Sequence, residues 1–352
     1  MADYTDIRAD LVSHVSWAPG GDQLLVAATP SPAAPARLML YRSDLWKVHH
    51  SWTLQVEPET LTSSWANDGT RIAVTWAGRG LIELATADEQ PVRERPVDGM
   101  VMHIAWRPNH DVIAGVGFSP RGIPEIHMWV AGDVSAPALR KPLADSPGGT
   151  FSWCGWSRSG DSLALLFARQ LDASFTRFDN ELLIFSVDQQ DQLTLTKRIA
   201  LPSGPIEIDN SSELWSPAGD AFAIPVQDDS GRGLGFVDVA TASVTEIWRP
   251  SNDGDSGLTG VAWSPTGALV AATNRTHIFV LDSKSRALRY TLDSQHPLSD
   301  PRWIMGGGQS NELQQEVSIS GFTNAIAWSP VGPHVVAGNN GALRVFSIPS
   351  GQ

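Results

Sequence analysis

The sequence predicts an all-β chain, a seven-bladed β-propeller with four antiparallel strands per blade and an N-terminal strand completing the last blade. Three observations predict it. A short apolar strand ending in Trp, a tight turn and a second apolar strand recur seven times. A third apolar strand follows every copy. The last copy stops near Ile348 with no room for a fourth strand, while the segment from Tyr4 to Leu11 has no blade of its own.

The clearest copy is Val261-Ala262-Trp263-Ser264-Pro265-Thr266-Gly267, followed by Ala268 to Ala272. Proline presets φ near −65° and glycine tolerates positive φ, so the chain reverses within about four residues. The other copies are centred on Trp17, Trp65, Trp106, Trp156, Trp215 and Trp328, at steps of roughly 41 to 65 residues, a spacing that suits four strands per blade plus loops. Seven of the fourteen Trp therefore occupy one repeat position, which marks them as core. Third strands are Leu38–Tyr41, Leu81–Leu84, Ile126–Trp129, Leu182–Phe185, Gly235–Asp238, Ile278–Leu281 and Leu343–Phe346. A more polar fourth strand follows, as at Leu193–Thr196 and Val244–Ile247. The blades expected are 12–56, 61–97, 101–143, 151–201, 211–249, 258–292 and 322–348 plus 3–11, with an insertion at 293–321. Completing the last blade with the N-terminal strand hides two sheet edges.

The Trp-Ser-Pro-x-Gly turn with its following apolar run resembles the WD-repeat propellers and their relatives with the TolB-like repeat. The resemblance spans the whole chain and implies the fold; such propellers host many roles. The Gly-His dipeptide before the first strand and the closing Trp-Asp of the WD pattern are absent, third strands ending instead in pairs such as Tyr41-Arg42 or Leu281-Asp282.

Composition narrows the function classes. Hydrophobic residues make up 42% and charged residues 18%, a globular balance. The net charge of −13 opposes bulk attraction to nucleic acid or an anionic membrane. No apolar run is long enough to span a bilayer, and the first residues lack a basic stretch and an apolar core, so a cytoplasmic location is expected. Cys154 is the only cysteine, which precludes an internal disulfide and reads as a buried small hydrophobe.

Loops carry what remains. The loops joining fourth to first strands and second to third strands open on one end, called the top. They are long at Pro30–Ala36, Arg169–Asn180, Gln227–Arg232, Pro250–Gly257 and Asp293–Gly321, whereas the turns joining first to second strands are minimal. The chain has 21 Arg against four Lys, and Arg37, Arg79, Arg121, Arg177, Arg232 and Arg275 fall in or beside the second-to-third-strand loops of blades 1 to 6. Two readings stand: a guanidinium rim for a carboxylate- or phosphate-bearing partner, or loop charges neutralised by neighbours such as Asp179 and Asp229. Arg302 and Trp303 in the long insertion, with Ile304 and Met305, have the composition of an interface anchor or of a plug against the propeller. Phe178 lies beside Arg177. On the opposite end, Trp46, His49 and His50 stand in the third-to-fourth-strand connection of blade 1.

Chemistry-bearing patterns are missing. The nine His are scattered, and His49-His50 is a poor metal spacing with no neighbouring ligand. His127 and His277 mark half-buried third-strand positions. There is no Gly-x-Ser-x-Gly elbow and no Walker A loop, and the glycine clusters at 231–235 and 306–308 precede no helix. Asn210 and Asn274 match the glycosylation pattern and are discounted without a secretory signal. No catalytic residue, metal or cofactor is assigned. The expectation is a non-catalytic protein-interaction scaffold, a subunit of a larger assembly, binding a protein with an acidic surface through the top face. The alternative is an enzyme or small anionic-ligand binder at the central channel mouth.

Overall fold

The computed structural model describes residues 3–29, 35–54, 61–76, 80–87, 91–95, 97–133, 139–143, 148–174, 176–209, 211–250, 257–274, 276–293 and 322–348. All regular structure among them is β, arranged as seven blades.

Blade 1 contains β1 (Asp3–Trp17), β2 (Gln23–Thr29), β3 (Ala36–Arg42) and β4 (Lys47–Leu54). Blade 2 contains β5 (Leu61–Trp65), β6 (Arg71–Trp76), β7 (Gly80–Ala85) and β8 (Pro91–Arg95). Blade 3 contains β9 (Met100–Trp106), β10 (Val112–Phe118), β11 (Pro124–Val130) and β12 (Leu139–Pro142). Blade 4 contains β13 (Gly149–Trp156), β14 (Ser162–Gln170), β15 (Phe178–Val187) and β16 (Leu193–Ala200). Blade 5 has three regular strands, β17 (Ala221–Asp228), β18 (Gly231–Asp238) and β19 (Ser243–Trp248). Blade 6 contains β20 (Gly260–Trp263), β21 (Leu269–Thr273), β22 (His277–Asp282) and β23 (Leu288–Asp293). Blade 7 is built from β24 (Phe322–Trp328) and β25 (His334–Ser347).

Every pairing is antiparallel and connects neighbours in sequence, except at one place. Residues Asp3–Arg8 of β1 pair with Ala342–Ser347 of β25, while Leu11–Trp17 of the same strand pair with β2. One long strand thus serves as the fourth strand of blade 7 and the first of blade 1.

The core lies between the blades, where alternate residues of each strand face the next sheet. All seven repeat Trp are buried, at 4–9% exposure. Three of their indole N–H groups cross to the preceding blade, while those of Trp17 and Trp215 are buried without a hydrogen-bond partner. Trp65 donates to Ser16 O (3.3 Å), Trp156 to Ala105 O (3.0 Å) and Trp263 to Leu214 O (3.0 Å), each acceptor being the residue before the preceding blade's Trp. The same side chain that fills the seam therefore also fastens one blade to the last. In blades 3 and 7 the indole folds back onto its own turn, at His110 O and Gly332 O. Fourth-strand cations add outer fastenings: Arg95 donates to Val130 O, Lys141 to Leu193 O and Lys197 to Val239 O, each in the following blade.

Two local expectations need correction. The first strand of blade 5 is not a regular strand; only an isolated bridge, Trp215 to Phe222, marks it. His127 is not half-buried but fully enclosed, stacked on Trp129 and 3.1 Å from Glu125 Oε1. Asn274, discounted above as a glycosylation acceptor, is buried, and its Oδ1 accepts the backbone N–H groups of Thr276 and His277, so it shapes the loop between β21 and β22. Cys154 is buried as expected, and burial raises its thiol pKa, which keeps it unreactive.

Candidate partner-binding face

The top end is held together by the loops that open on it. Phe178 N donates to Ser203 O (2.7 Å) and Gly204 N to Gln227 O (3.0 Å), so the link from blade 4 to blade 5 ties the second-to-third-strand loops of both. In blade 3 the loop after β10 is a hydroxyl-capped turn. Ser119 Oγ accepts Arg121 N (3.3 Å) and Ile123 N (3.1 Å), and Gly122 takes a φ of 73°. That leaves Arg121 exposed at the tip, with Ile123 41% exposed behind it.

The blade 4 loop folds around Asp172. Its carboxylate accepts Thr176 N (3.0 Å), Arg177 N (3.1 Å), the Ser174 hydroxyl (2.9 Å) and the Thr176 hydroxyl (2.5 Å). Those hydrogen bonds, the Thr176 hydroxyl first, lower its pKa to about 2. The Arg177 side chain is exposed, Leu171 is 53% exposed, and Phe178 is half-buried at the strand end. In blade 5, Asp228 Oδ1 accepts Ser230 N (2.8 Å), Gly231 takes a φ of 114°, and Arg232 is exposed with Nε on Gln227 Oε1 (3.0 Å).

Which arginines are neutralised is decided here. Asp179 pairs with Arg169 and not with Arg177. Asp228, the neighbour of Asp229, takes both oxygens to Arg249 Nη2 (2.6 and 2.5 Å), which holds its carboxyl below the usual range. Among the described residues Arg121, Arg177 and Arg232 form no ion pair, and Arg37 is exposed at the start of β3. Arg79, Arg275, Arg302 and Trp303 lie outside the described residues.

The sequence reading missed the polar network at the inner strands. The irregular first segment of blade 5 leaves its own sheet and crosses to blade 1. Ser211 Oγ accepts Val15 N (2.9 Å) and meets His14 Nδ1 (3.1 Å). His14 Nε2 lies 2.6 Å from Ser63 Oγ of blade 2, which bonds Ser16 Oγ (2.9 Å), the acceptor of the Trp65 indole (3.1 Å). Asp209 N and Glu213 N donate to Thr259 O and Val261 O of blade 6, each at 2.8 Å, and Trp153 Nε1 of blade 4 donates to Ser212 O (2.8 Å). Blades 1, 2, 4, 5 and 6 therefore meet through one segment. Burial lowers the His14 pKa to about 4 and raises that of Glu213, whose side chain keeps contact with solvent, to about 7. The only sequence signal was the wholly polar run Asp209-Asn210-Ser211-Ser212-Glu213, at positions where every other blade has at least one apolar residue. No group of three or more His, Cys, Asp or Glu suited to a metal occurs among the described residues.

This arrangement defines a class, the seven-bladed β-propeller whose side chains fasten blade to blade and whose loops crowd one end. Among solved structures, the β-propeller domain of Cps50 (Swd1) from Myceliophteria thermophila matches with a TM-score of 0.66 over 99% of this chain and all of that domain, at 16% identity. That likeness carries the fold, the same fold the WD-like turns point to. Matches extend to 1342 solved chains, so the fold selects no single role. No family profile matches the sequence, and no curated protein does.

Proposed function

We propose that the protein is a non-catalytic protein-interaction scaffold, a cytoplasmic subunit of a larger assembly, which binds an acidic protein surface through its top face. The observation that carries this is the pairing pattern of the loops. Asp179 and Asp228 pair with Arg169 and Arg249, Asp229 is exposed and forms no ion pair among the described residues, and Arg121, Arg177 and Arg232 are exposed on a chain of net charge −13. An exposed guanidinium suits a partner carboxylate, and Arg232, with Nε on Gln227 Oε1, is the one already oriented. Ile123 and Leu171 beside two of them supply apolar contact. Arg79, Arg275, Arg302 and Trp303 belong to the same proposed surface, with Phe178 as a half-buried support. No helix among the described residues is long and apolar enough to cross a membrane. The channel-mouth enzyme or small-ligand reading stays the alternative: His14, Ser63 and Ser211 at the inner strands are bonded to one another, while Glu213 keeps contact with solvent.

The test is capture of partners from the native host by the wild-type chain and by an Arg121→Glu, Arg232→Glu variant with an unchanged circular dichroism spectrum. The wild type retains a stoichiometric protein, and the variant binds it at least about thirtyfold more weakly, the scale of one interface hot spot of about 2 kcal/mol. Equal retention by both chains sinks the choice of face. Retention of no protein by either sinks the scaffold reading.

A further inference from the structure

The opposite end of the propeller carries the turns joining first to second and third to fourth strands, and these are small or polar in nearly every blade. The third residue of the first turn is Gly20, Asp68, Asn109, Ser159, Ala218 and Thr266 in blades 1 to 6, but Val331 in blade 7. Val331 is 66% exposed, more than any other large hydrophobic residue described. The turn after the third strand breaks its rule in blade 1. Its positive-φ residue is Gly132, Asp191, Ala242 and Arg286 in blades 3 to 6, and Trp46, with a φ of 49°, in blade 1. A bulky aromatic is among the least suited residues for left-handed backbone. Trp46 is held there edge-on against Trp17, with ring centroids 5.9 Å apart. Leu45 before it is 56% exposed and Val48 after it 47%.

The two departures form one patch. Val331 lies against Gly21 of the blade 1 turn so closely that no Cβ fits there. Ser43, at the start of the Trp46 turn, donates its N–H to Asp22 O of that same turn (2.9 Å). Exposed aliphatic side chains thus gather where the first and last blades meet. Around them stand Asp22, the Arg42–Asp44 pair (2.8 Å) and the exposed Lys47, so both signs occur and the local sum is zero. A single-signed partner does not match such a rim. Its own copy does, because a two-fold rotation sets Lys47 of one chain against an aspartate of the other around an apolar centre.

We propose that this corner is the interface of a homodimer, in which a second copy of the chain covers Leu45, Val48 and Val331. The two top faces then point away from each other, and the dimer presents its binding surface twice. The dimer stands or falls independently of what the top face binds.

The experiment is light scattering on the full chain across the micromolar range at physiological ionic strength. Two substitutions borrow residues from other blades at the matching turn positions: Val331→Asp takes the Asp68 type and Leu45→Gln the Gln190 type. The wild type has twice the chain mass. Each variant weakens the dimer by about tenfold or more, the double variant runs as a single chain with an unchanged circular dichroism spectrum, and Arg121→Glu, Arg232→Glu leaves the dimer intact. A milder Val331→Thr, matching Thr266, keeps the test alive if the aspartate disturbs the turn. A wild type of single-chain mass throughout, or a double variant that dimerises as tightly as the wild type, overturns the proposal.

Discussion

Removing one hydroxyl, Ser211→Ala, tests whether the segment crossing from blade 5 holds the propeller together. Ser211 Oγ accepts the buried Val15 N–H (2.9 Å) and bonds His14 Nδ1 (3.1 Å), and Ser211 is 197 residues from His14 along the chain. Alanine leaves both groups buried without a partner. An unmatched buried polar group costs about 1–3 kcal/mol, so the pair costs about 2–6 kcal/mol. Against a total stability of about 5–15 kcal/mol for a natural domain, that is a large share. Ser63→Ala strands His14 Nε2 and takes one bond from Ser16 Oγ, which keeps the Trp65 indole, and costs about half as much. Urea unfolding measures the loss, and amide exchange at Val15 locates it, since that N–H loses its acceptor while its neighbours in the β1–β2 ladder keep theirs. A loss under about 0.5 kcal/mol, the level of an ordinary surface substitution, with Val15 protection unchanged, refutes the reasoning.

Two further expectations follow from burial. His14, His103 and His127 have pKa values lowered to about 4, in each case chiefly by burial, against 6.5 unfolded. The unfolded chain binds more protons between those values, so this stability is fully present above pH 6.5 and is lost as pH falls toward 4, at about 1.4 kcal/mol per unit for each histidine at most. Glu213 has the opposite sign: its raised value of about 7 means that its contribution falls as pH rises from 4.5 to 7. Urea titrations at several pH values therefore find Glu213→Gln more stable relative to wild type at pH 8 than at pH 4; an equal difference at both contradicts the assignment. Three glycines of blade 3 rank by space: a Cβ on Gly117 overlaps the Met100 carbonyl, one on Gly115 lies 2.7 Å from the Trp129 ring, and one on Gly122 meets open space at a φ of 73°. Thermal melts of the alanine variants place Gly117 as the most damaging, Gly115 next at about 1–3 kcal/mol and Gly122 near 1 kcal/mol, and a Gly122→Ala loss as large as that of Gly117→Ala removes the steric argument.

The candidate site was legible in outline and illegible in its pairing. That Arg121, Arg177 and Arg232 stand in long loops follows from the turn chemistry around them. That no described carboxylate pairs with them depends on which carboxylates the folded loops leave over, and Asp228 is claimed by Arg249, 21 residues further on. The bottom corner was flagged through Trp46, His49 and His50 as loop residues, of which the two histidines lie instead on β4, and the exposure of Leu45 and Val331 there was not anticipated.

Local pattern determined the architecture by itself: a Trp, a Pro- or Gly-bearing turn and alternating apolar strands specify a hairpin wherever they occur, and seven copies stack only as a closed ring. The same logic marked the repeat Trp as core and the N-terminal strand as a partner for the last blade. The tertiary structure alone decided the exceptions. The inner segment of blade 5 gives up its ladder because Ser211, Ser212 and Glu213 find partners on blades 1, 4 and 6. His127 is sealed because Glu125 and Trp129 enclose it. Those partners are distant in the chain or set by how the blades close, and hydrogen bonds and burial act over a few ångströms of space, whatever the distance in sequence.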